Sequence, residues 1–161
     1  MSATFIDASG NVRLQGTLVG AGGVTECGVY SGASKSIADG AQDLLPWSFF
    51  DDGDAVLDIS NTVSPVVVAS GVYAVTVCVR TLAMTSGGTY RFSLVLDTTG
   101  FAPSVEGDAP PASAAQTTPD VTLAMTKYIP AGSGIATLVE NLDGAAARFF
   151  AIQRAVCQRI S

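Results

Sequence analysis

Apolar and polar residues alternate one for one along most of this chain, a period that fits half-buried strands and little else. Between 71 and 81, Tyr73, Val75, Val77 and Val79 oppose Ala74, Thr76, Cys78 and Arg80. Between 89 and 97, Tyr90, Phe92, Leu94 and Leu96 oppose Thr89, Arg91, Ser93 and Asp97. Between 121 and 129, Val121, Leu123, Met125 and Ile129 oppose Thr122, Ala124, Thr126 and Tyr128. In 12–18, Val12, Leu14 and Leu18 share a side. Helical spacing shows only faintly in KSIADGAQDLL (35–45), where Gly40 interrupts it, so at most one helical turn is expected there. Gly-Gly at 22–23 and 87–88 and Asp-Gly at 52–53 and 143–144 suit tight hairpins. About eight to ten strands broken by such turns predict an antiparallel sandwich or barrel. In 147–160, Phe150, Ile152, Val156 and Ile160 share a parity into which Arg154 and Gln158 intrude, which predicts a bulge or a subunit contact.

The 161 residues suit one domain, whose size buries roughly two-thirds of the unfolded surface without a disulfide or metal. Charged residues make up only 14% and apolar ones 48%. An average domain carries roughly 25% charge. We read the surplus apolar surface as oligomer interface. With no histidine there is no Ser-His-Asp or Cys-His pair and no imidazole-bound zinc. A net charge of −6 opposes a phosphate backbone, so no nucleic-acid partner is expected. The most apolar stretch, PVVVASGVYAVTVCV (65–79), is short for a membrane span and is punctuated by Ser70, Gly71 and Thr76. The opening MSATFIDASGN lacks a basic stretch followed by an apolar run, and no signal peptide is expected. Cys27, Cys78 and Cys157, odd in number and far apart, are expected to be reduced, buried thiols.

Asp51, Asp52 and Asp54, with Asp58 nearby, form the one dense set of oxygen ligands. They lack EF-hand spacing, and a solvated turn that keeps a sheet edge from pairing outweighs a metal site. No G-x-S-x-G, S-x-x-K or P-loop occurs, and GAGG (20–23) reads as a hairpin turn. Trp47 with Pro46, Phe49 and Phe50 reads as a core plug. No enzyme activity and no cofactor are expected. Residues 98–120 hold four of the seven prolines and few large apolar side chains, which predicts a long loop in an otherwise single domain over 21–161. Residues 1–20 are expected to form an N-terminal arm or first strand.

The stretch SPVVVASGVYAVTVCVRTLAMTSGGTYRFSLVL (64–96) sets an apolar strand before a Gly71-Val72-Tyr73 entry into a long alternating strand, then a hairpin and another long strand. YIPAGSGIATLVENLDGAAARFFAIQRAVCQRI (128–160) carries Pro130-Ala131-Gly132, Asn141 and Gly144 ahead of a final aromatic strand. In these two stretches the sequence resembles the tumour-necrosis-factor/C1q-like jelly rolls. The resemblance implies an all-β antiparallel jelly-roll sandwich.

Acidic, rich in Ala, Val, Gly and Thr, and without a catalytic constellation, the chain is similar to stand-alone jelly rolls among the structural proteins of tailed bacteriophages. That resemblance implies a homotrimer, with Tyr73, Phe149 and Phe150 as interface anchors. It further implies a capsid decoration (cement) protein on the virion surface, made in the host cytoplasm. Its partner would be the major capsid protein, gripped by an arm carrying Phe5, Val12 and Leu14 or by the 98–120 loop. The competing expectation is the receptor-binding head of a tail fibre or spike. Neither involves a membrane.

Overall fold

In the computed structural model, residues 26–82, 88–96, 120–144 and 146–160 are described in full, together with the backbone of 3–6, 12–15 and 103–109. They contain fourteen strands: β1 (Ala3–Ile6), β2 (Val12–Gln15), β3 (Glu26–Ser31), β4 (Lys35–Ile37), β5 (Gln42–Leu45), β6 (Phe49–Gly53), β7 (Leu57–Asp58), β8 (Val66–Val67), β9 (Gly71–Leu82), β10 (Thr89–Leu96), β11 (Pro103–Ala109), β12 (Asp120–Ile129), β13 (Ile135–Leu142) and β14 (Arg148–Arg159). Every pairing is antiparallel. One sheet runs β11-β10-β13-β5; the other runs β12-β9-β14-β3-β6, with β4 continuing beside β14. This is the expected antiparallel jelly roll.

The alternation in sequence becomes the two inner faces. Tyr73, Val75, Val77 and Val79 of β9 are fully buried, as are Tyr90, Phe92 and Leu94 of β10. The sheets meet edge-to-face through Phe150, whose ring lies 5.7 Å from Tyr90 and 6.0 Å from Phe92. Ser93, Val95 and Ala136, on the opposite side of the four-stranded sheet, are buried as well. The split expected in 89–97 therefore does not separate core from solvent there. Only Cys157 is a buried thiol, pushed up by burial; Cys27 and Cys78 are half-buried, and all three are free.

Several expectations are corrected. Residues 98–120 are not one loop, because β11 pairs with β10 from Ala109 to Pro103. It is an edge strand of charged and small residues with a leading proline, a composition edges favour and periodicity misses. Residues 35–45 form β4 and β5 instead of a helical turn. Lys35 bridges Asp43 at 2.7 Å and donates to the Leu44 carbonyl, while β14 and β13 supply the ladders. Gly53 is the last residue of β6 rather than a hairpin tip, its φ of 88° taking the chain away from the edge. Trp47 is indeed core, but Phe49 and Phe50 remain 55% and 44% exposed.

In β14 the ladder with β9 slips between Ile152 and Arg154, leaving Gln153 as the extra residue of a bulge. The bulge inverts the parity. Phe150 and Ile152 face the core before it, and Ala155 and Cys157 after it, so Val156 faces outward.

Strand directions give the sandwich two distinct ends. The chain enters β3 at Glu26 and leaves β14 at Arg159, which are register partners at one end. Leu82 and Thr89, Ala109 and Asp120, and Leu142 and Arg148 flank the connections of the opposite end.

Candidate functional site

The outer face of the six-stranded sheet is built from the residues that the core alternation leaves over. Across five strands Ala124, Thr76, Val156, Val29 and Asp52 follow one another in register. The next row toward the terminal end reads Thr126, Ala74, Gln158 and Cys27. Toward the opposite end come Thr122, Cys78 and Arg154. The centre is therefore flat, with short side chains of little charge. Large apolar groups stand at its two ends: Tyr128 beside Val72 is 61% exposed, and Phe149 beside Leu82 is 52% exposed.

Two of the guanidinium groups on this sheet are held. Arg80 forks onto Asp120 at 2.8 and 3.1 Å and keeps that carboxyl below its usual range. Arg159 pairs with Glu26 at 3.2 Å and donates to the Ser70 carbonyl. Arg154 is exposed in the middle of the face. The bulge turns both Gln153 and Arg154 to the solvent side, a common use of bulges. A sheet face with so little charge loses little when it is dehydrated, and its flatness suits another flat surface.

The structure separates the expected anchors. Tyr73 and Phe150 are fully buried inside the sandwich, Tyr73 donating its hydroxyl to the Ala69 carbonyl at 2.6 Å, so neither reaches a second copy. Phe149 does lie on the outer face. Phe5, Val12 and Leu14 belong to the β1–β2 ladder, in which Ile6 pairs Val12 and Thr4 pairs Leu14. That ladder is a two-stranded sheet of its own; its side chains lie outside the described residues.

The three aspartates lie at the β6 edge and face different donors. Asp51 accepts from the Ser31 hydroxyl, Asp52 from the Gly53 N–H and Asp54 from the Cys27 N–H. Among the described residues no three metal-ligating side chains converge. Also among them, no helix is long and apolar enough to cross a membrane. Sequence reasoning passed over Thr76, Ala124, Val156, Tyr128 and Arg154. Parity exposes the first two and Tyr128, whereas the bulge hides Val156 and Arg154 from any periodic count.

No protein-family profile and no curated protein sequence matches the chain. Solved structures do match in fold. The vertex protein P5 of phage PRD1 superposes with a TM-score of 0.59 at 18% identity, over 86% of this chain and 99% of that one. Eiger TNF from S. frugiperda gives 0.55 at 14%, over 84% and 92%. Murine APRIL gives 0.53 at 11%, over 79% and 98%. The chain thus shares its jelly roll with TNF-like proteins and with a phage vertex protein.

Proposed function

We propose that this chain is a structural protein of a virus particle, a capsid decoration module without a catalytic role that self-associates as a trimer and stabilises the shell. The observation that carries the reading is the nearly neutral outer face of the six-stranded sheet. It accounts for the chain's low charge, and a threefold arrangement would shelter it. The fold shared with a phage vertex protein supports a place on a virion. Three copies of a modest shell contact, tethered in one trimer, bind far more tightly than one. A ligand that prefers assembled shell over free subunits stabilises assembly by mass action. Light scattering on the purified chain should give about three times 16.3 kDa. Mixing it with shells that lack it should raise their melting temperature. A monomer with no effect on shells refutes the reading.

The separation of the two ends favours a second reading, a receptor-binding head. The end of the sandwich at Leu82, Thr89 and Leu142, opposite Glu26 and Arg159, would be the one to meet a host surface. Copy number per particle separates the two: hundreds for decoration, a few trimers for a head.

A further inference from the structure

The bulge of β14 sets a lone cation at the centre of the outer face. β14 is the middle strand in the order β12-β9-β14-β3-β6. Arg154 is in register with Cys78, near the middle of β9, and through it with Thr122 of β12. Ala155, the next residue, is core, so Arg154 shares the solvent side with Val156 and Gln158. Arg154 is exposed, and among the described residues its guanidinium forms no ion pair and no hydrogen bond. Other exposed donors share its neighbourhood: Gln153 precedes it in the bulge, Thr122 lies in its row and Thr76 in the next.

The carboxylates described on this face are already engaged. Both oxygens of Asp120 are held by Arg80. Asp51, Asp52 and Asp54 stand at the β6 edge, two strands from β14, and accept from the Ser31 hydroxyl, the Gly53 N–H and the Cys27 N–H. Self-association through this face brings copies of Arg154 toward one another, because the central strand lies nearest an axis that the face is turned to. Like charges repel there, and a guanidinium taken out of water without an anion is costly. The planar fork of a guanidinium matches the oxygens of a phosphate-like ion, and three forks suit one multivalent oxyanion.

We infer that Arg154 is an anion-binding residue: one guanidinium from each of three copies holds a single free oxyanion of the phosphate or sulfate class on the threefold axis. This rests on the trimer proposed above and makes trimer formation depend on the anion. An ion held only by the trimer favours it by mass action, whereas one bound equally well by the single copy shifts nothing.

The test is sedimentation equilibrium of the full chain, with sodium phosphate exchanged for sodium chloride at constant ionic strength so that general screening is unchanged. Once phosphate exceeds its dissociation constant, each tenfold rise should raise the trimerisation constant about tenfold, the signature of one ion per trimer. Arg154→Gln removes the charge from an exposed position. It should abolish this dependence and self-associate more tightly than the wild type does in chloride. Arg154→Lys should keep a phosphate dependence, weakened by loss of the fork. A wild-type trimer indifferent to phosphate overturns the anion site and leaves the trimer standing. So does an Arg154→Gln variant that trimerises less well than the wild type in chloride, which would make a carboxylate of the neighbouring copy the partner. A chain that stays monomeric in chloride and in phosphate overturns both.

Discussion

Phe149 and Phe150 are neighbours in sequence and opposite in role, and truncating each to alanine separates core from interface. Phe150 is fully buried and touches Tyr90 and Phe92 edge-to-face. Its removal leaves a cavity between two sheets that cannot both move in, at a cost of about 3–5 kcal/mol. For a domain of this size that is a fall of about 6–20 °C in melting temperature. Phe149 is 52% exposed, so the isolated protomer recovers water contact for half of what it loses. Its truncation costs the protomer about 1 kcal/mol or less. If the outer face is the self-association surface, that same truncation raises the dissociation constant tenfold or more, as removal of an aromatic anchor does. The assay is a pair of measurements: thermal unfolding at the lowest usable concentration, and sedimentation across a concentration series. Phe150→Ala should move the first strongly, Phe149→Ala chiefly the second. Equal losses of thermal stability would refute the assignment of the two rings to opposite faces. Unchanged sedimentation of Phe149→Ala would remove this end of the face from the interface.

The buried Asp143 carboxylate accepts from the Tyr90 hydroxyl at 2.8 Å and pairs with Arg148 at 2.7 Å, tying the β13–β14 connection to β10. Asp143→Ala leaves a guanidinium that is only 17% exposed without this partner, and should cost about 3–5 kcal/mol in denaturant unfolding. Less than about 1 kcal/mol would mean the pair is dispensable. Burial pushes the Tyr30 phenol up to about 12, against the opposing hydrogen bond from the Leu57 N–H. The folded state thus holds that proton more tightly than the unfolded chain. The stability it contributes is complete below about pH 10 and drains away as pH rises toward 12, by roughly 1.4 kcal/mol per pH unit. Tyr30→Phe should flatten part of that alkaline decline, Tyr73 supplying the rest through its own burial-raised phenol. An unchanged slope between pH 8 and 11 would contradict it.

Periodicity made the long strands legible because each satisfies one rule, one face in and one out. β9 follows the rule for its whole length, which is why Tyr73 to Val79 could be assigned to one side from sequence. The short and edge strands were harder for a physical reason. β11 and β6 have no second neighbour to impose alternation, so charged and small residues hide β11 and the non-alternating Phe-Phe-Asp-Asp run hides β6. β4 and β5 exist because longer strands offer them ladders, a tertiary cause that a local window cannot contain. The bulge at Gln153 was anticipated from broken alternation. Which residues it sent outward was not, because a count by parity runs straight through an inserted residue. Aromatic content was a poor guide to the outer face for the same reason: Tyr73 and Phe150 fill the sandwich, and the open face is made mostly of Ala, Thr and Val.

The two segments expected to grip a shell are attached at opposite ends of the sandwich. The N-terminal segment joins at Glu26, beside Arg159, whereas the 110–119 connection runs from Ala109, opposite Tyr90, to Asp120, opposite Arg80. A β-strand rises about 3.3 Å per residue, so the steps along β9 from Tyr73, in register with Arg159, to Arg80, in register with Asp120, set these attachments about 23 Å apart. A flat shell surface can be met by one end or the other, not by both. If the end at Glu26 and Arg159 is the shell-facing one, the end at Ala109 and Asp120 is turned away from the shell, which reconciles a decoration role with a second end left for other contacts. Deleting residues 1–25 should then abolish shell binding and leave the sandwich folded, while replacing 110–119 by a short Gly-Ser link should leave shell binding intact. The opposite pattern, binding lost with the 110–119 replacement and kept without the N-terminal segment, would invert the module on its shell and make the terminal end the exposed one.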